Sequence, residues 1–251
     1  MSNQKFAFAQ PSASCDDGVL LAEGSVPSAG GREVPSGRSG SQGRKAPKRS
    51  RFYLFVKRAA DIVLSLIAIV ILCIPMAIIA IIIKCDSKGP VFFKQKRIGK
   101  NQKTFSCFKF RTMSIEAPKD CPPYMFENPE DFITKVGKVL RKSSLDELPQ
   151  LFNILKGEMT IVGPRPCTPK EVELIRKRER YGIFALTPGL TGWAQVNGRD
   201  EISIRGKVMR DREYAEHASI GFDLKIIWLT VIKVIKREGV HEGLNEKNVI
   251  R

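Results

Sequence analysis

Two neighbouring carboxylates, Asp146 and Glu147, lie in the stretch "SSLDELPQLFNILKG" of a strongly basic chain. The chain has 251 residues and a formal net charge of +16 at pH 7. A carboxylate can attack phosphorus and form an acyl phosphate, which divides one difficult transfer into two easier steps. A second carboxylate beside it can hold Mg²⁺, which prefers one or two carboxylates together with substrate phosphate oxygens. The residue types therefore suit phosphoryl transfer.

The same pair also fits a purely structural role. Ser144-x-x-Glu147 matches a capping box, and acidic residues are favoured at a helix N-terminus. Two features favour chemistry instead. Pro149 confines the helix start to the position of the pair, so that both side chains can point off the helix end. The surrounding cations are expected to keep a carboxylate ionised there.

An arginine loop follows the pair in the sequence. Arg165 lies in "GPRP", where the flanking prolines stiffen the backbone. A guanidinium can hold a phosphate through two parallel hydrogen bonds, and basic residues can neutralise charge on a transferred phosphate and its leaving group. Arg165 is therefore a predicted phosphate-binding residue.

A basic hairpin is predicted before the pair. "GPVFFKQKRIGKNQKTFSCFKFRTM" reads as two strands around the turn "GKNQ", and Lys109 and Arg111 alternate with Phe108 and Phe110 in the second strand. Seven cationic side chains and no acidic one lie between residues 94 and 111. This face is either solvated or directed at phosphates, and the residues leave both interpretations open.

A membrane helix is predicted at Ile62 to Ile83, which contains 22 residues without a charge. Both flanks are basic, and Pro75 removes a helix hydrogen bond just past the middle. Positive residues favour the cytoplasmic side, so a span would leave one basic flank outside, whereas a re-entrant hairpin keeps both inside. A kinked single span is the alternative.

The predicted fold is α+β and mostly helical, with a re-entrant N-terminal membrane helix and a small globular domain that contains the hairpin. Six scattered cysteines and two histidines make a poor disulfide framework and a poor hydrolase signature. The predicted organisation is a disordered tail at 1–50, a basic juxtamembrane segment and re-entrant helix broken near Pro75 at 51–85, a cytosolic catalytic domain at 86–240, and a C-terminal tail at 241–251.

Several long motifs resemble one known family. They are "KRAAD", "FKQKRIG", "FKFRTM", "LRKSSLDELPQLFNILKGEMTIVGPRP", "TPGLTGWAQVNGRDEIS" and "FDLKIIWLTVIKVIKREGV". Between Phe55 and about Gly243 the chain resembles the bacterial monotopic polyprenyl-phosphate phosphoglycosyl transferases in their small catalytic-unit form. Relatives often carry Ser before the helix-breaking proline, and here Ile74 stands there.

The resemblance implies a covalent mechanism. Asp146 would attack the β-phosphorus of a UDP-sugar and release UMP, and polyprenyl (undecaprenyl) phosphate would then take the phosphosugar. Glu147 would be the Mg²⁺ ligand and Arg165 the phosphate-holding arginine. The reaction would initiate a capsule, exopolysaccharide, O-antigen or glycoprotein glycan. It would take place at the bacterial inner (cytoplasmic) membrane, with the catalytic domain on the cytoplasmic face.

Further substrate contacts are expected around this centre. Phosphate contacts are expected from basic side chains, and nucleotide or sugar contacts from "GWAQVNGR"; a solvated strand face and a Gly-bounded turn are the structural alternatives. The predicted residues are Lys109, Arg111 and Arg141 for phosphate, and Gln195, Asn197 and Arg199 for nucleotide or sugar.

The expected partners are a UDP-sugar, polyprenyl phosphate and membrane lipid, without nucleic acid. The sequence leaves a homo-oligomer open, and it does not identify the sugar. The alternative function is a membrane-tethered basic scaffold that binds nucleic acid or an acidic polymer, with the acidic pair serving only as a helix cap.

Overall fold

The computed structural model describes residues 49–117, 129–198 and 202–236. Nearly all of the predicted N-terminal tail, the C-terminal tail and Arg199 lie outside these ranges. The described residues form seven α-helices and four short strands, which agrees with a mostly helical α+β fold containing a β-hairpin.

The first helix, α1 (Arg51–Asp86), is 36 residues long and includes the basic flank as well as the apolar run. By length and composition it could cross a membrane, and only 11% of its most apolar window is buried. The helix continues through Pro75, contrary to the expected break. A proline removes only one helix hydrogen bond, and Leu72, Met76 and Ile79 pack against the globular part on both sides of it.

One face of α1 is fixed to the globular part by polar contacts near its start. Asp61 is buried and accepts hydrogen bonds from Thr160 Oγ1 at 2.6 Å and from the Ile161 amide at 2.9 Å. Lys57 Nζ lies 2.9 Å from Oδ2 of Asp223. Further along, Ile83 packs in a cluster with buried side chains of the globular part. The contacts therefore extend along most of the helix.

The predicted hairpin is confirmed. Strands β1 (Phe92–Ile98) and β2 (Thr104–Phe110) pair antiparallel, with Phe92 opposite Phe110. The turn contains Asn101 and Gln102, both with positive φ. Because side chains alternate along a strand, Gln95, Arg97, Cys107 and Lys109 share one face.

The acidic pair does not begin an α-helix. Helix α2 (Lys135–Lys142) ends before it, and the pair lies in a separate 3₁₀ turn, Leu145–Glu147. Ser144 has a φ of 56° and makes no side-chain capping bond. The following helix, α3 (Gln150–Lys156), is ended by Gly157 in the left-handed conformation, as its position after the apolar repeat suggests. A capping box is therefore not formed.

A second, parallel pair of strands positions the arginine loop. Strands β3 (Thr160–Val162) and β4 (Gly189–Thr191) are joined by a crossover that contains α4 (Val172–Arg180), and "GPRP" follows β3 directly. A Cβ on Gly189 would lie 2.1 Å from the Gly163 amide nitrogen, so the two backbones touch where the loop begins. The loop is thus built on a closely packed base.

Three more helices complete the described fold: α5 (Trp193–Val196), α6 (Ile204–His217) and α7 (Ile220–Lys236). Buried residues of α6 and α7, among them Tyr214 and Ile226, pack with Val162 of β3 in the largest hydrophobic cluster. On the other side of α7, Leu224, Trp228 and Ile235 are strongly exposed. Helix α7 therefore contributes to the core and also presents an apolar surface.

Candidate active site

One ammonium group joins the two carboxylates. Lys109 Nζ, from β2, lies 2.8 Å from Glu147 Oε1 and 3.4 Å from Asp146 Oδ2. The 3₁₀ turn brings both neighbouring side chains to Lys109, although the α-helix begins only at Gln150, after Pro149. Both carboxylate residues are 8% exposed. The pair is thus a shielded, charged centre and not a surface helix cap.

Arg165 contacts the same centre. Its Nη2 donates to Glu147 Oε1 at 2.8 Å, so one carboxylate oxygen accepts from both Lys109 and Arg165. The side chain of Arg165 is 33% exposed, far more than that of Glu147. Arg165 is therefore a solvent-accessible partner of the buried Glu147 carboxylate.

The direction of the pKa shift of Asp146 differs from the expectation. Burial raises the pKa of the Asp146 carboxyl, and this effect outweighs the lowering by the Lys109 ammonium. Glu147 adds to the rise, while Arg141 and Arg165 oppose it. The cations were expected to dominate, but a carboxylate this deeply shielded loses more hydration than they restore.

The main chain of the arginine loop is held at three successive carbonyls. Arg178 Nη1 donates to the Arg165 carbonyl at 2.7 Å, and Arg97 Nη1 donates to the Pro166 carbonyl at 3.0 Å. The Ile98 amide donates to the Cys167 carbonyl at 2.9 Å. Proline stiffness is therefore only part of what positions Arg165, because β1 and α4 also hold its backbone.

A buried ion pair supports this clamp. Arg178 Nε and Nη2 lie 2.9 and 2.6 Å from Asp211 Oδ2, and both residues are almost completely buried. Burial opposes the charge of Arg178, but Asp211 outweighs it and raises the pKa of the guanidinium. Sequence reasoning missed this pair because its members lie 33 positions apart and have no local motif.

Arg111 occupies a different place from the one expected. Its Nη2 donates to the Ser87 carbonyl at 2.6 Å and to Ser87 Oγ at 2.8 Å, with a longer contact to the Ile83 carbonyl. These groups form the C-terminal end of α1, where cations are favoured. These contacts satisfy Nη2 only, because Nε and Nη1 of Arg111 are buried without a hydrogen-bond partner in the described part of the chain. The phosphate contact of Arg111 stays a prediction.

Arg141 remains near the centre. Its Nε donates to Thr112 Oγ1 at 2.9 Å, and its charge lowers the pKa of Asp146. Lys109 and Arg141 therefore both act electrostatically on Asp146 of the acidic pair. Whether either contacts a substrate phosphate stays a prediction.

The residues predicted for nucleotide or sugar lie on and just after α5. Asn197 Nδ2 donates to the Trp193 carbonyl at 2.8 Å, so its side-chain amide nitrogen already has a hydrogen-bond partner within the same turn. Both polar side-chain atoms of Gln195 are buried, and neither has a hydrogen-bond partner in the described part of the chain. Their substrate roles, and that of Arg199, stay predictions.

The donor set fits a magnesium ion only with help from other oxygens. Within residues 49–117, 129–198 and 202–236, no three His, Cys, Asp or Glu side chains group as ligands. Mg²⁺ commonly uses one or two carboxylates and completes its shell with water and substrate phosphate. Asp146 and Glu147 meet that requirement, and Lys109 already places positive charge against both. Glu147 could therefore hold the ion beside a phosphate substrate.

Comparison with known proteins agrees with this geometry. Residues 52–237 match the family model described as "Bacterial sugar transferase". The chain is 40% identical over 192 residues to the uncharacterized sugar transferase EpsL of Bacillus subtilis, covering 75% of this chain and 92% of that protein.

Two relatives have names that state a reaction. The chain is 40% identical over 185 residues to the UDP-glucose:undecaprenyl-phosphate glucose-1-phosphate transferase of Escherichia coli, covering 71% of this chain and 40% of that protein. It is 35% identical over 191 residues to the UDP-N-acetylgalactosamine-undecaprenyl-phosphate N-acetylgalactosaminephosphotransferase of Aeromonas hydrophila, covering 74% of this chain and 45% of that protein. The chain thus spans about two fifths of the length of these and several other relatives.

Proposed function

The chain belongs to the bacterial sugar transferase family, and from this membership we propose that it transfers a sugar phosphate from a UDP-sugar to polyprenyl phosphate. The observation that carries the proposal is the shielded pair Asp146 and Glu147, joined by Lys109 and flanked by Arg165. The names of the relatives in Escherichia coli and Aeromonas hydrophila support undecaprenyl phosphate as the acceptor. Because those names state different sugars, the donor sugar is left open.

The proposed first step is attack on the donor. A carboxylate oxygen of Asp146 forms a bond to the β-phosphorus of the UDP-sugar, and the bond from that phosphorus to the bridging oxygen breaks. The bridging oxygen leaves with UMP, and the phosphosugar remains on Asp146 as an acyl phosphate. Arg165 stabilises negative charge on the phosphoryl oxygens, because its guanidinium contacts Glu147 and is partly exposed to solvent.

The proposed second step regenerates the enzyme. A phosphate oxygen of the polyprenyl phosphate attacks the same phosphorus, and the bond from phosphorus to Asp146 breaks. The products are a polyprenyl diphosphosugar and a free carboxylate. Before the first step, Lys109 holds the two carboxylates next to each other, since it contacts Asp146 and Glu147 together.

Magnesium has a defined role in this proposal. Glu147 would hold it, with Asp146 next to it. When bound, the ion would neutralise charge on the diphosphate of the donor and on the departing UMP. Lys109 contacts the same oxygens, so its ammonium must share them with the ion or move aside.

We propose a monotopic placement of the helix α1 on the cytoplasmic face of the inner membrane. A long isoprenoid phosphate does not leave the bilayer, because each buried CH₂ is worth about 0.8 kcal/mol. Contacts to the globular part extend from Tyr53 to Ile83, so a helix that crossed the bilayer alone would lose them. The exposed face of α7 around Trp228 gives a second apolar surface for the headgroup region.

The basic-scaffold alternative is not favoured. It requires the acidic pair to serve as a helix cap, whereas Ser144 makes no capping bond and both carboxylates are buried against Lys109. Positive charge alone does not require this arrangement.

The test is UMP release from a panel of UDP-sugars by the full chain in detergent, with undecaprenyl phosphate and Mg²⁺ present. At least one UDP-sugar should give UMP and a lipid-linked sugar, and the Asp146→Asn chain should give neither. An absence of UMP with every sugar, together with salt-sensitive binding of nucleic acid, would support the scaffold instead.

A further inference from the structure

Arg97 reaches the arginine loop from the hairpin and has an unusual set of partners. Its Nη1 donates to the Pro166 carbonyl at 3.0 Å, next to Arg165. Its Nε and Nη2 donate to Gln95 Oε1 at 3.1 and 2.6 Å. In the part of the chain that the structure describes, these hydrogen-bond partners are all neutral. The guanidinium is therefore held in place without being neutralised by contact.

Arg178 provides an internal comparison. It donates to the adjacent carbonyl, that of Arg165, and it is also largely buried. However, Asp211 lies 2.6 Å away and compensates its charge. The two arginines thus perform the same mechanical task on neighbouring residues of one loop, and they differ in whether a carboxylate is in contact with them.

Burial and the nearby charge of Arg165 act against the charge of Arg97, while Cys107 acts in its favour. Burial lowers the pKa of Arg97, and the charge of Arg165 lowers it further. Glu147 and Glu171 oppose this from a distance, and Glu171 is itself bonded to Thr168. A partly buried cation with no carboxylate in contact is not a favourable arrangement for folding, which points to a role other than stability.

A count of contacting charges indicates that role. At the centre, Lys109 and Arg165 offer two positive charges against the two carboxylates Asp146 and Glu147. A nucleoside diphosphate sugar brings about two further negative charges, which this balanced set does not match. Arg141 and the Mg²⁺ of the proposed function would supply part of the positive charge that attracts it, and Arg97, which is fixed to the loop that carries Arg165, would add to that charge.

We propose that Arg97 is a positioning residue that helps the arginine loop attract the diphosphate of the nucleotide donor. Because its side-chain partner Gln95 is neutral, the positive charge of Arg97 is not compensated by a contacting carboxylate among the described residues. The inference deepens the proposed function and rests on it. It assigns to the motif "QKR" in β1 a role in donor affinity, which acts through the loop and not by contact with the reacting atoms.

The decisive variant is Gln95→Glu. This change keeps an oxygen acceptor for Arg97 and nearly the same shape, but it cancels the positive charge. The dissociation constant of UDP, measured by calorimetry on the full chain in detergent at fixed Mg²⁺, should rise about tenfold. One charge at about 10 Å in an effective dielectric constant of about 20 gives an effect of this order. The melting temperature should stay the same or rise, because Arg97 gains an ion pair.

Two further variants separate charge from structure. Asn101→Asp makes the same isosteric charge change at the exposed turn of the same hairpin and should leave UDP affinity unchanged. Arg97→Lys loses the forked contacts to Gln95 but keeps the charge. It should lower the melting temperature while UDP affinity stays within about threefold of wild type.

The inference is overturned if Gln95→Glu binds UDP as tightly as wild type while Arg97→Lys does not, since contact and not charge would then matter. If Gln95→Glu does not fold, Arg97→Lys and Arg97→Met decide instead, because only Lys retains the charge; equal affinities would overturn the inference. UMP release by the wild type is scored separately. An active wild type with an unaffected Gln95→Glu variant refutes this inference alone, and an inactive wild type refutes the proposed function.

Discussion

The guanidinium of Arg178 donates a 2.7 Å hydrogen bond to the main-chain carbonyl of Arg165. One buried arginine thereby fixes the backbone of another whose side chain reaches the acidic pair. The stability of the fold and the geometry of the candidate site are coupled at this bond.

The first prediction concerns the ion pair behind that bond. Asp211→Asn should destabilise the fold by about 3–5 kcal/mol, because it leaves the buried charge of Arg178 without its partner. Thermal unfolding in detergent would measure this loss. Lys177→Ala, which removes an exposed pair with Glu173, is the control and should cost about 0.5 kcal/mol or less. Equal melting temperatures for Asp211→Asn and wild type would show that the pair does not hold the loop.

The second prediction concerns Arg165 itself. Arg165→Ala removes the guanidinium that contacts Glu147. It should lower kcat/KM for the UDP-sugar by about 10²–10³-fold, which is the usual effect of losing one preorganised donor that stabilises charge in the transition state. Arg165→Lys keeps the positive charge but loses the two-pronged hydrogen bonding of a guanidinium. Its kcat/KM should lie between those of the wild type and Arg165→Ala. Because Arg165 is partly exposed, the melting temperature should change little. A fully active Arg165→Ala chain would remove this residue from the mechanism.

The third prediction concerns membrane placement. Single cysteines at Ser50 and Lys88, near the two ends of α1, are introduced into a chain whose other cysteines are alanine. In intact cells an impermeant maleimide should label neither position, and both should react after the inner membrane is opened. If one position is labelled in intact cells and the other is not, the helix spans the membrane, and the monotopic placement is wrong.

The fourth prediction concerns the divalent ion. Chelation with EDTA should abolish UMP release, and added Mg²⁺ should restore it. Glu147→Gln should raise the Mg²⁺ concentration needed for half-maximal activity and lower the maximal rate, because it removes the predicted ligand. Its melting temperature serves as the control for folding. Undiminished activity in EDTA would exclude this role for Glu147.

The hairpin and α3 were predicted correctly, because short-range sequence patterns specify both. The alternation around Phe108 gave the hairpin, and the apolar repeat before Gly157 gave α3 and its end. The residue types of Asp146, Glu147 and Arg165 suggested a shared phosphate-handling centre, and the structure brings Arg165 into contact with Glu147.

Long-range features had no such signal. Strands β3 and β4 have three residues each, too few for a periodic pattern, and they pair only after the chain has passed through α4. The partners Arg178 and Asp211 lie on different helices. Arg111 follows β2 directly, but its contacts depend on where α1 ends. The pKa of Asp146 is raised by burial, and burial cannot be predicted from the residues next to Asp146 in the sequence.

The central claim is a bond between Asp146 and phosphorus. Intact-protein mass spectrometry of the full chain, incubated with its UDP-sugar and Mg²⁺ but without lipid acceptor, should show the added mass of one phosphosugar. Digestion should place that mass on the peptide that contains Asp146, and added undecaprenyl phosphate should remove it. Transfer to lipid by an Asp146→Asn chain, or an adduct on another residue, would contradict the account.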